Sequence, residues 1–241
     1  MKLAEQIRNK ILALPEESTF GYAELCIAKD DYQTAAKALE RLQKKETIKK
    51  ISKGVFYKPK QTIFGEIKPD YNEQLKPFLF KNGKRIAYVT GTSLYNQLGL
   101  TTQMAFRIKI ASRSNRISIN RGALKASAAK SYVEVTDDNY QLLGFLDAIK
   151  DIKIVPDADV KTSVKILGGK IKNLSVKQIK ELVLYAIVYP PRTRALLGAM
   201  LETIDNTIDT KVLKESLNPL TKIKIGLTEK ELSTVNNRYI T

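Results

Sequence analysis

The 241-residue chain contains no histidine. That absence removes the side chain most often used as an acid or base near neutral pH. With a single cysteine, it also removes any Cys/His zinc site. Ser-His-Asp, Cys-His and HExxH chemistry are therefore excluded, and catalysis would have to rest on carboxylates with a hard metal, or on lysine. Cys26 has no second cysteine to pair with, which fits a reducing cytoplasm. No apolar run reaches the roughly eighteen residues a membrane helix needs, so no membrane partner is expected. Met1 to Ile11 carries charges throughout and does not read as a signal peptide. Internal repeats and low-complexity tracts are also missing.

What is present in excess is positive charge. There are 41 Lys and Arg against 25 Asp and Glu, a formal net of +16. A field of that sign draws polyanions, nucleic acid first among them. With 43% hydrophobic residues the chain can also build a sizeable core.

The apolar spacing orders the N-terminal region. Leu3, Ile7, Ile11 and Leu14 form one helical stripe, ended by Pro15. The turn residues Ser18, Thr19 and Gly21 introduce a short second helix expected over Tyr22–Ala28. A third is expected from Asp31 to Lys45, with Ala35, Ala38, Leu39 and Leu42 inward and Asp30 or Asp31 as N-cap. The period then changes: Thr47–Ser52 and Val55–Tyr57 read as two strands around Lys53-Gly54, closed by Pro59. Three helices and a basic hairpin give the order of a winged helix-turn-helix.

On the third helix Gln33, Lys37, Glu40, Arg41 and Lys44 lie opposite the apolar stripe, with Thr34 at its edge. Gln33, Thr34, Lys37 and Arg41 are the candidates for presenting donors to base edges, as a recognition helix does. Lys44, Lys45, Lys49, Lys50, Lys53 and Lys58 are candidates for phosphate contacts beside it. From Lys37 to Lys60 nine Lys and Arg face two acids, a local net of +7. The competing reading is a solvated helix face with charged loops.

Further on, strands are expected at Arg85–Thr90, Arg107–Ala111, Arg116–Asn120 and Tyr132–Val135, and a helix over Thr92–Leu98 stopped by Gly99. A second basic patch comprises Arg107, Lys109, Arg113, Arg116, Arg121, Lys125 and Lys130, with no acid between its ends. It could track a DNA backbone, face RNA or an acidic protein, or be a charged sheet face. The last third reads as helices: one with Val176, Ile179, Leu182, Val183, Ala186 and Ile187 inward, ended by Pro190-Pro191; then Arg192–Ile204; then Thr210–Leu217.

Candidate chemistry is thin. Gly168-Gly169-Lys170 lacks the rest of a phosphate loop and reads as a turn. Gly91-Thr92-Ser93 suggests a nucleotidyltransferase element, but the nearest Asp-x-Asp, Asp157-Ala158-Asp159, lies far downstream in an expected loop. Glu66-Ile67-Lys68 matches a nuclease Glu-x-Lys that a lysine-rich chain produces by chance. Cys26 reads as a small core residue. Neither a catalytic residue, a metal site nor a cofactor is assigned.

Three segments carry a resemblance. Ile48-Lys49-Lys50-Ile51-Ser52-Lys53-Gly54-Val55-Phe56-Tyr57-Lys58-Pro59, Thr90-Gly91-Thr92-Ser93-Leu94-Tyr95-Asn96-Gln97-Leu98-Gly99-Leu100-Thr101-Thr102-Gln103 and Arg194-Ala195-Leu196-Leu197-Gly198-Ala199-Met200-Leu201-Glu202 resemble, in order, the wing, middle motif and C-terminal helix of AbiEi-like antitoxins of type IV toxin–antitoxin systems. After Gln103 the chain runs Met104-Ala105 where that family has a proline.

The resemblance implies a cytoplasmic repressor that binds inverted repeats in its own promoter and counters a nucleotidyltransferase-like toxin without a stable complex. The expected fold is α+β: a winged helix-turn-helix over residues 1–59, then a larger mixed α/β domain over 60–241 ending in helices. The alternatives are a metal-dependent enzyme on nucleic acid, and an RNA- or protein-binding module.

Overall fold

The computed structural model describes residues 2–63, 65–67, 69–121 and 124–241, with the backbone alone at 65, 67 and 121. The protein is a mixed α+β chain. Its internal contacts divide it into two compact units, Met1–Lys84 and Arg85–Thr241, so residues 60–84 go with the first unit.

In the first unit, α1 (Leu3–Ala13) turns Ile7 and Ile11 inward. Its C-terminal carbonyls, left without partners by the helix end, are met by Lys58: Nζ donates to Leu12 O at 2.9 Å and Leu14 O at 2.8 Å. The next stretch departs from expectation. Thr19–Gly21 is strand β1, and Tyr22–Ala28 makes only a single turn. Ile27 N donates to Tyr22 O at 3.0 Å and Cys26 N to Ala23 O at 2.9 Å. These are the two bonds of a Schellman closure, with Cys26 left-handed at φ 52°. Cys26 is exposed, so it is not the core residue its composition suggests.

After a 3₁₀ turn at Lys29–Asp31, α2 (Tyr32–Lys44) buries Ala35, Ala38, Leu39 and Leu42, the expected stripe. Asp31 holds the N-cap position, but its side chain makes no capping bond. The helix ends in a second Schellman closure, Thr47 N to Leu42 O at 3.0 Å and Glu46 N to Gln43 O at 2.9 Å, with Glu46 at φ 55°.

The chain then forms the hairpin β2 (Lys49–Ser52) and β3 (Val55–Tyr57). With β1 it makes an antiparallel sheet in the order β1-β3-β2, Phe20 opposite Phe56. Ile7, Ile11, Phe20, Leu25, Leu39, Ile48 and Phe56 close one core between helices and sheet. A hairpin of β4 (Lys60–Thr62) and β5 (Gly65–Ile67) precedes α3 (Tyr71–Leu79). Asp70 caps α3 by accepting from Glu73 N at 2.8 Å. Thr19 Oγ1 donates to Glu73 O at 2.8 Å, which ties α3 to β1. The short strands β6 (Phe80–Lys81) and β7 (Lys84–Arg85) follow.

The second unit opens with β8 (Ala87–Thr90) and α4 (Thr92–Gln97). Leu100 N to Tyr95 O at 2.8 Å and Gly99 N to Asn96 O at 2.9 Å close α4, with Gly99 at φ 78°, a conformation glycine adopts without steric cost. Strands β9 (Ile108–Ser112), β10 (Ile119–Arg121) and β11 (Leu124–Lys130) complete a sheet in the order β10-β11-β9-β8. In it β11 runs parallel to β9, and β8 and β10 are antiparallel to their neighbours. The expected strand at Tyr132–Val135 is not one.

Helix α5 (Tyr140–Lys150) covers the sheet, Leu143 against Tyr88, Ala111 and Val135. Helices α6 (Val160–Ile171), α7 (Val176–Ala186), α8 (Pro191–Ile204) and α9 (Lys211–Glu215) build the rest of the core. Gly168-Gly169-Lys170 is therefore helical, inside α6, and not a turn. Every residue from Ala195 to Leu201 is buried. Gly198 lets the fully buried Arg238 guanidinium lie against α8, since a Cβ there would come within 2.7 Å of it.

Candidate nucleic-acid interface

The inward stripe of α2 fixes what the helix shows to solvent. Gln33, Thr34, Lys37, Arg41, Lys44 and Lys45 are all exposed. Lys44 pairs with Glu40 at 3.0 Å, a solvated pair of little energetic weight. On the hairpin after α2, Lys50 and Lys53 are exposed as well. Among the described residues, Lys37, Arg41, Lys45, Lys50 and Lys53 enter no ion pair, so their charge is directed at solvent.

Two phosphate candidates are placed differently. Lys58 is committed to the α1 carbonyls. Lys49 is half-buried and pairs with Glu66, which also accepts from Tyr57 Oη at 2.5 Å. The Glu66 hydrogen bond raises the Lys49 pKa, and burial, then Glu66, raises that of Tyr57. Glu66 of the Glu-x-Lys match is thus a structural partner; Lys68 lies outside the described residues. Asp159 caps α6 by accepting from Thr162 N at 2.9 Å, and Asp157 accepts from Gln103. No group of three or more Cys, Asp or Glu side chains able to hold a metal occurs among the described residues.

The second basic patch is partly assembled by the sheet. Ser127 pairs with Lys109 across β11 and β9, and Lys125 lies two residues before Ser127, so Lys109 and Lys125 share a face. Arg107, Lys109, Arg113, Arg116 and Lys130 are exposed and Lys125 half-buried. Lys130 is at the far end of β11, its Nζ 5.8 Å from the Tyr132 ring centroid. The Arg121 side chain lies outside the described residues.

Sequence reasoning missed a buried polar cluster. Asp147 is 1% exposed. Its Oδ2 accepts from Tyr88 Oη at 2.9 Å and Thr90 Oγ1 at 2.8 Å, and its Oδ1 from Lys150 Nζ at 3.0 Å. Tyr95 Oη donates to Asp151 Oδ2 at 2.6 Å. Burial pushes the Asp147 carboxyl above the usual range against the pull of Lys150. Burial pulls Lys150 down, but the charges of Asp147 and Asp151 outweigh it and its pKa is raised. Both Asp147 oxygens are taken, so the cluster fastens β8, α4 and α5 together. The one signal in the sequence was a lone acid inside an otherwise apolar run, Leu142–Ile149.

No helix among the described residues is long and apolar enough to cross a membrane. Residues 6–172 match a family of unknown function, DUF6088, and the chain belongs to that family. No curated protein matches it. Among solved structures it is similar to the crystal structure of the RV2827C protein from Mycobacterium tuberculosis, at 12% identity and a TM-score of 0.52, over 90% of this chain and 82% of that one. At that identity the likeness is one of fold.

Proposed function

We propose that this DUF6088 chain is a duplex-DNA-binding repressor whose first unit acts as a winged helix, α2 entering the major groove and the β2–β3 hairpin lying along the backbone. The observation that carries the reading is the division of α2. Four apolar residues lock one side into the core, and Gln33, Thr34, Lys37 and Arg41 stand unencumbered on the other. Lys and Arg there match guanine O6 and N7, and Gln matches adenine N6 and N7. Lys50 and Lys53 supply the adjoining phosphate contacts. The resemblance to AbiEi-like antitoxins extends the proposal to a type IV antitoxin that represses its own operon and opposes a nucleotidyltransferase-like toxin.

The test is a gel-shift titration with the DNA upstream of its own reading frame against scrambled duplex. Specific binding that strengthens steeply as salt is lowered is expected. Lys37→Ala or Arg41→Ala should each cost about 1–3 kcal/mol of affinity where the residue reads a base. Equal affinity for scrambled duplex defeats the repressor reading. A separate growth assay, co-expressing the chain with a neighbouring nucleotidyltransferase-like protein, tests the antitoxin extension.

A further inference from the structure

The second unit carries a surface that the duplex reading does not use. Phe106 is 80% exposed and Met104 91%, yet the segment bearing them is tied down. Asn96 Nδ2 donates to Thr101 O at 3.1 Å and Gln103 O at 3.3 Å. Gln103 N donates to Thr101 Oγ1 at 3.1 Å, and the Gln103 amide donates to the Asp157 carboxylate. These bonds fix where the chain leaves Gln103, so Met104 and Phe106 are presented and not merely frayed. Beyond them, Lys125 Nζ lies over the Phe106 ring at 4.5 Å from its centroid. Arg107 and Lys109 lie just beyond Phe106 in sequence, both exposed, and no acid occurs from Arg107 to Lys130.

We propose that Met104 and Phe106, with Arg107, Lys109 and Lys125, form a stacking platform for the unpaired bases of a single-stranded nucleic acid. The chemistry is that of single-strand recognition: an aromatic face for a base and cations for the phosphates that flank it. A duplex hides its base faces in its own stack, so an exposed ring on a firm segment gains little from one. A membrane would bind through buried apolar area, and two side chains supply too little. The unbroken positive charge complements a polyanion of either sugar type.

The chain has no tryptophan, so Phe106→Trp places one indole fluorophore at the platform. In the full-length protein, its emission should be quenched on titration with oligothymidylate or oligouridylate of about twelve nucleotides. The two oligomers decide between DNA and RNA. By anisotropy of a labelled oligomer, Phe106→Ala and Phe106→Leu should weaken binding roughly ten- to a hundredfold, and Phe106→Tyr should restore it. All three should keep the wild-type melting temperature, because the ring is outside the core. Lys37→Ala with Arg41→Ala should leave oligomer binding intact, which separates this surface from the α2 face. Undiminished binding by Phe106→Ala overturns the proposal. So does indole emission from the Phe106→Trp variant that answers to phosphatidylserine vesicles and not to oligomers.

Discussion

The two units handle charge in opposite ways. In the first, cations stand at the surface: Lys37, Arg41, Lys45, Lys50 and Lys53 are exposed and outside any ion pair among the described residues. In the second, charge is also drawn inside. Asp147 is held by Tyr88, Thr90 and Lys150, and Arg238 is fully buried against Glu202 and Thr210. Outward charge on a firm scaffold is available to a partner at little conformational expense. Inward charge, once satisfied, specifies how elements dock, and removing one member leaves the other stranded. The surface cations of the first unit should therefore control binding with little effect on stability, and the interior ions of the second should do the reverse.

The hardest blow to that contrast is struck at Arg238. Arg238→Met should destabilise the chain by about 3–5 kcal/mol in chemical denaturation, since it removes a buried guanidinium and leaves Glu202 without its ion-pair partner. A loss below about 1 kcal/mol would mean that the buried ion is dispensable. Asp147→Asn comes next, at about 1–3 kcal/mol. The amide brings two hydrogens, where the acid form brings one, to a place already faced by the Tyr88, Thr90 and Lys150 donors. That cost should shrink as pH rises. The folded Asp147 pKa lies above the unfolded value of 3.8, so its contribution is greatest at or below that value and fades as pH climbs toward the raised one. Denaturation midpoints of variant and wild type should therefore converge as pH is raised above about 4.

The finest discrimination lies within the hairpin region. Lys58→Met should lower stability by about 1 kcal/mol, through the lost bonds to the α1 carbonyls. It should barely alter the salt dependence of DNA binding. Lys50→Ala and Lys53→Ala should each reduce the salt slope by about 1 with stability unchanged. Equal behaviour of all three lysines would erase the distinction.

Local patterning made α1, α2, α7 and the β2–β3 hairpin legible by their stripes and change of period, while α4 was marked by its closing Gly99 and α8 by the apolar run after Pro190-Pro191. It failed where the environment is uniform or the pairing distant. Leu142–Ile149 of α5 is buried on all sides and so shows no helical period. The Ala-rich β11 has little strand propensity of its own and is extended because β9 and β10 pair with it. Tyr132–Val135 has the propensity and lacks a strand partner among the described residues. Helix ends were legible at Gly99 and not at Cys26, although both close with the same two hydrogen bonds. The outward face of α2 follows from its inward one. The engagements of Lys49 and Lys58 do not, because Glu66 and the α1 carbonyls are remote in sequence. The platform at Phe106 was half visible: its cations stood out by composition, its ring only by exposure.

Cys26 gives the chain a practical property. As the sole thiol, exposed on the left-handed residue that closes the turn between β1 and α2, it is a built-in attachment point. A maleimide dye couples there with no engineered residue. Its rate of coupling, followed with and without DNA, reads whether that turn is covered when α2 is occupied.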